Sequence, residues 1–113
     1  MPAIRISAQE LKEQMEHEEF IILDLRQNDS YDESQEQIPG SIRLDPNDDA
    51  AIQRMMDSTN KHAAIVGYCT WHSEYTSARV ANIFVKHGFH NVRALLGGLQ
   101  AWKDAGYPVE LKK

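Results

Sequence analysis

Two stretches of this chain, Phe20–Leu25 (FIILDL) and Ala63–Tyr68 (AAIVGY), are apolar almost without interruption. Each is too short for a stable helix, and each contains adjacent β-branched residues, Ile21-Ile22 and Ile65-Val66. A strand with one wet face alternates apolar and polar residues. A continuous apolar run marks a strand buried on both faces. Such strands need a sheet covered by helices on both sides.

The segments between the runs supply those helices. Ser7-Ala-Gln-Glu10 reads as a capping box, opening a helix through about Met15 with Leu11 and Met15 on one face. Residues 26–40 are polar, contain Asn28, Asp29 and Asp32, and end in Ile38-Pro39-Gly40. They read as a loop with room for one helical turn. Asp45-Pro46-Asn47 is expected to cap a helix through Met56. Thr76 or Ser77 is expected to cap another, with Val80, Ala81, Ile83 and Phe84 on its apolar face and Gly88 just past its end. Gly97-Gly98 turns into a last helix through about Ala105, stopped by Gly106 and Pro108. Ile4–Ile6, as an edge strand, Ser41–Leu44 and Val92–Leu96 complete the strands. The alternation predicts an α/β fold: a central, mostly parallel sheet of about five strands with helices on both faces, in a single domain over residues 1–113. Ligands of such sheets bind beyond the carboxyl ends of the strands.

Composition narrows the function. Hydrophobic residues make up 42% of the 113, charged residues 26%, and the net charge is −5, a globular composition with no pull toward nucleic acid. No Lys/Arg cluster appears beyond Lys112-Lys113. The longest apolar runs are far short of a membrane span, and Met1-Pro-Ala-Ile-Arg-Ile has no secretory apolar stretch. A single cysteine cannot form an internal disulfide, which fits a reducing compartment. The expectation is a cytoplasmic protein, or a domain of a larger one, with no nucleic-acid or membrane contact.

That cysteine, Cys69, directly follows a buried strand, and a helix follows about seven residues later. A loop so placed can aim backbone amides and a helix N-terminus at the sulfur, and both stabilise a thiolate. Cys69 is therefore expected to be an accessible nucleophile, against the plain alternative of a buried structural cysteine. The loop Thr70, Trp71, His72, Ser73, Glu74, Tyr75 and Thr76 would bind substrate. His72 could pair with the thiolate or simply be solvated. Trp71 could rim the site or pack the loop. Glu74 could accept hydrogen bonds from loop amides. Asp24 and Arg26, at the end of the first apolar strand, could line the pocket or form a salt bridge that steadies loops. Cys69 with His72 is half a metal site, and no second cysteine or paired-histidine spacing completes it, so no metal is expected.

An ordered set of short motifs adds a resemblance. Leu23-Asp24-Leu25-Arg26, Ile38-Pro39-Gly40-Ser41, the Cys69 loop, Gly88-Phe89 with Val92, Leu96-Gly97-Gly98-Leu99-Gln100-Ala101-Trp102, and Gly106-Tyr107-Pro108-Val109 follow one another as they do in rhodanese-like domains. The chain resembles that family over about residues 4–110. The resemblance implies a parallel α/β sheet and a catalytic cysteine that carries sulfane sulfur as a persulfide. It implies a small-molecule or protein-bound sulfur donor, a thiol or cyanide-type acceptor, and no cofactor. The loop departs from the usual family pattern. Seven residues separate Cys69 from Ser77-Ala78, the usual Arg is missing, and Glu74 is present, as in a less common branch whose loop ends Glu-x-x-Ser-Ala. Glu36-Gln37 stand where the family has Gly-His. These changes make thiosulfate, a dianion, an expected poor donor. Two other readings stand beside the sulfurtransferase. One is a catalytically idle binding or redox-sensing module of the same fold. The other is a cysteine phosphatase or arsenate reductase, which would need an arginine clamp that this loop lacks.

Overall fold

The computed structural model describes residues 4–70 and 75–112. The chain runs β1 (Ile4–Ile6), α1 (Ala8–Gln14), β2 (Ile21–Asp24), α2 (Asn28–Glu33), β3 (Glu36–Gln37), β4 (Ile42–Arg43), α3 (Asp49–Asp57), β5 (Ile65–Tyr68), α4 (Tyr75–Lys86), β6 (Val92–Leu95), α5 (Gly98–Asp104) and β7 (Glu110–Leu111). Five strands form one sheet in the order β1-β6-β5-β2-β4, and every pairing in it is parallel. The expected edge strand, Ile4–Ile6, is at an edge.

Alternation along the strands divides the core in two. Leu23, Leu25, Ile65 and Val92 meet Ile52 and Met56 of α3 and Val80, Ala81 and Phe84 of α4. Ile6, Ile22, Val66 and Leu95 meet Leu11 of α1 and Leu99 and Trp102 of α5. The two apolar runs of the sequence are thus the strands with apolar neighbours on both sides. The buried Trp102 ring donates from Nε1 to the Pro108 carbonyl at 2.7 Å, which ties the C-terminal segment to α5.

The capping box at α1 forms as read. Ser7 Oγ accepts from the Glu10 amide at 3.0 Å, and Glu10 Oε1 accepts from the Ser7 amide at 3.1 Å. Hydrogen bonding from Ser7 holds the Glu10 carboxyl below the ordinary carboxylate range.

Three details differ from the sequence reading. Helix α3 is capped by Asp48, whose Oδ1 accepts from the Ala51 amide at 3.0 Å; Asp45 instead closes a turn with the Asn47 amide at 2.9 Å. Helix α4 spans Tyr75–Lys86, so Thr76 and Ser77 lie inside it rather than capping it. An antiparallel pair, β3 with β7, joins segments far apart in sequence. Two-residue strands show no periodicity, and this pair is fixed by a side chain: Glu110 Oε2 accepts from Gln37 Nε2 at 2.6 Å and from the Gly40 amide at 3.2 Å.

The closest packing lies where β5 ends. The amides of Leu99 and Gln100, at the start of α5, donate to the Cys69 and Thr70 carbonyls at 2.9 Å each. Gly98 has φ +59°, and a Cβ there would collide with the Cys69 carbonyl, 2.9 Å from its carbon and 3.0 Å from that of Thr70. Gly98→Ala is therefore expected to cost about 2 kcal/mol or more, from positive-φ strain plus overpacking against backbone that cannot yield. Gly106 also has positive φ, with nothing within 4 Å of a built Cβ, so Gly106→Ala should cost only the strain. Thermal melts of both variants check this; equal losses would mean that the Cys69 backbone moves aside.

Candidate active site

Cys69 lies just past β5, beside the end of β2. In the parallel register of these strands Asp24 pairs with Tyr68, and the Leu25 amide donates to the Tyr68 carbonyl at 2.8 Å. The two strand ends singled out in the sequence therefore finish level with each other, at the carboxyl edge of the sheet.

Cys69 is only 5% exposed, which corrects the expectation of an accessible thiol. The thiol donates to Ser77 Oγ at 3.6 Å, and Ser77 is itself buried in the first turn of α4. From below, the amides of α5 fix the Cys69 and Thr70 carbonyls. Thr70 is half-buried, Tyr75 is exposed, and Thr76 Oγ1 accepts from Gln27 Nε2 at 3.3 Å. The expectations for Trp71, His72, Ser73 and Glu74 fall outside the described residues. Among the described residues no group of three or more His, Cys, Asp or Glu could hold a metal ion, and no helix is long and apolar enough to cross a membrane.

Asp24 and Arg26 form a bidentate ion pair at 0% and 1% exposure: Nε to Oδ1 at 2.9 Å and Nη2 to Oδ2 at 2.6 Å. Arg26 Nη2 also donates to the Glu36 carbonyl at 3.0 Å, and the Arg26 amide to Asp24 Oδ1 at 3.2 Å. Burial alone would lower the guanidinium pKa. The hydrogen bond and charge of Asp24, helped by Tyr68 and Tyr31, outweigh it and shift the pKa upward. Arg43 joins from β4, donating to the Asp24 and Arg26 carbonyls at 3.1 and 2.6 Å. The Tyr31 ring carries Arg43 at 4.2 Å and Lys112 at 3.8 Å on its faces. These contacts make the pair a brace between the end of β2, β3 and β4.

Three contributors escaped the sequence reading. Ser77 touches the sulfur, though it stood in the Ser77-Ala78 motif. The Gly97-Gly98 turn admits the Cys69 backbone, though glycine at a turn gave no hint of its neighbour. Tyr68, read only as the end of an apolar strand, places its hydroxyl beside the Ile38 amide, which donates to it at 3.3 Å, and Ser41 Oγ at 2.9 Å.

Burial first, and then the charge of Asp24, push the Tyr68 phenol pKa well above its ordinary value, against the opposing pull of Ser41, Ile38 and Arg26. Above pH ~10 the unfolded chain releases this proton and the folded chain keeps it, so stability falls as pH rises. Tyr68→Phe should lessen that alkaline decline. At pH 7 the same change should cost about 1–2 kcal/mol, because the Ile38 amide loses its acceptor. Urea titrations of both proteins at pH 7 and pH 11 check this; parallel pH profiles would refute it.

Comparison with known proteins agrees with the geometry. Residues 7–105 match the rhodanese-like domain family. Thiosulfate sulfurtransferase GlpE of Coxiella burnetii is 32% identical over 99 residues, covering 88% of this chain and 86% of that protein. The rhodanese-like domain of the Alr3790 protein from Anabaena sp. superposes with a TM-score of 0.77 at 30% identity, covering 94% of this chain and 77% of that one. A rhodanese-like domain protein from Staphylococcus aureus shares the fold over 100% of both chains, with a TM-score of 0.73 at 24% identity. With its cysteine at the carboxyl edge of a five-stranded parallel sheet, the chain belongs to the rhodanese-like domain family.

Proposed function

We propose that this protein is a single-domain sulfurtransferase that carries sulfane sulfur on Cys69. The observation that carries the proposal is the position of that sulfur, past the end of a central parallel strand and 3.6 Å from the Ser77 hydroxyl at the start of α4. The Cys69 thiolate attacks the outer sulfur of a donor. A Cys69–sulfur bond forms, the donor's sulfur–sulfur or sulfur–sulfonate bond breaks, and the donor leaves with the electron pair as a thiolate or sulfite. A thiol or cyanide acceptor then attacks the terminal sulfur, and the Cys69 thiolate leaves. In the thiolate and persulfide states the Ser77 hydroxyl becomes the donor to sulfur. Residues Thr70 to Thr76 bind the donor.

The burial of Cys69, at 5% exposure, favours a second reading, a binding or redox-sensing module that never turns over. Intact mass separates the two. After incubation with a small persulfide the protein should gain the mass of one sulfur atom and lose it on addition of cyanide. Cys69→Ser should gain none and melt within a few degrees of wild type, since serine keeps the shape but cannot hold the sulfur. Transfer by that variant would end the covalent mechanism, and an inert wild type would favour the module.

GlpE is named for thiosulfate, which makes thiosulfate the first donor to compare. The segment between Cys69 and Ser77 has Glu74 and no Lys or Arg. One unit charge about 8 Å from a dianion contributes on the order of 4 kcal/mol at an effective dielectric near 20, before salt screening. A tenfold rate effect needs only about 1.4 kcal/mol. Thiosulfate should therefore show a kcat/KM at least about tenfold below that of a singly charged persulfide, with the gap narrowing as ionic strength rises. Efficient turnover of thiosulfate at every salt concentration would show that Glu74 does not face the donor.

A further inference from the structure

The net charge is −5, yet helix α4 contains no acidic residue. Tyr75, Arg79, Asn82, Ile83 and Lys86 recur at helical spacing along one side of it. With Arg5 of the edge strand β1 they line an open groove of about 390 Å³, and among the described residues none that lines it is a carboxylate. The groove follows the helix for about 16 Å. One end is Tyr75, 74% exposed, in the same turn as Ser77, which touches the Cys69 sulfur. The buried side of the helix, with Val80, Ala81 and Phe84, holds it rigidly against the sheet.

We infer that this groove docks an acidic segment of a protein partner. An exposed tyrosine and arginines are the side chains that most often anchor protein interfaces, and a cationic groove on an anionic protein selects a partner by charge. Three cations are too few to hold a nucleic acid against the repulsion of the rest of the surface. A segment lying along α4 ends at Tyr75, in the same turn of the helix as Ser77. The partner's part as sulfur donor or acceptor rests on the sulfurtransferase reading; the docking does not.

The test is fluorescence anisotropy with a labelled Glu-Gly repeat peptide, its Gln-Gly counterpart and a labelled oligothymidylate. The acidic peptide should bind about tenfold more tightly than the Gln version at low salt, and the difference should vanish near 1 M salt, where the Debye length is about 3 Å. Lys86→Glu with Arg79→Glu should erase the preference. Arg79 also donates to the Pro46 carbonyl at 2.8 Å, so Lys86→Glu with Arg5→Glu serves as a second pair that spares this contact, and both pairs are checked by thermal melt. Turnover of a small persulfide should be unchanged in either. No preference for the acidic peptide, a preference that survives the Lys86→Glu and Arg5→Glu pair, or tighter binding of the oligothymidylate would overturn the inference. A wild type that binds the acidic peptide but turns over no donor would overturn the sulfurtransferase reading and leave the docking standing.

Discussion

The parallel pairing of β2 with β5 sets the level on which the site is built. Ile21 pairs with Ile65 and Asp24 with Tyr68, so both strands stop together. A slip of one residue would turn Leu23 and Leu25 away from the α3 and α4 side and strand Asp24 in the apolar core. The register also brings the Asp24 carboxylate, the Tyr68 hydroxyl and the Cys69 sulfur to one edge. Apolar residues on both faces of these strands make any other register costly, which is why the edge is so well fixed.

Above that edge the chain is held by polar contacts that have little access to water. The Asp24–Arg26 pair is almost fully buried, so its Coulomb attraction is set against the loss of hydration of two ions. Its net contribution to stability is therefore small. Its larger effect is geometric: it draws the end of β2 together with β3, through the Glu36 carbonyl, and with β4, through Arg43. Tyr68 adds a second tie, to Ile38 and Ser41, from the residue directly before Cys69.

The sulfur is placed from two helices at once. Helix α5 fixes the Cys69 backbone through the Leu99 amide, which requires glycine at position 98. Helix α4 meets the sulfur through Ser77. The same helix that touches the sulfur on its inner side carries Arg79 and Lys86 along the groove, so one element links the Cys69 sulfur to a surface of opposite charge to the whole.

The sequence by itself determined the five strands of the main sheet, the helices and the class of that sheet. Those follow from local rules: FIILDL and AAIVGY are too apolar for a wet strand and too short for a helix, and Ser7 and Glu10 cap one another across a single turn. It also singled out Cys69, because a lone thiol between a buried strand and a helix is visible in one dimension. Tertiary structure alone decided what surrounds that thiol. The Ser77 contact, the α5 amides on Cys69 and Thr70, and the β3–β7 pair held by Glu110 join residues whose local sequence says nothing of each other. Arg26 reads as a polar residue after a strand until Asp24, Glu36 and Tyr31 close around it. The burial of Cys69 belongs to the same group, since a residue's exposure depends on what distant segments pack over it.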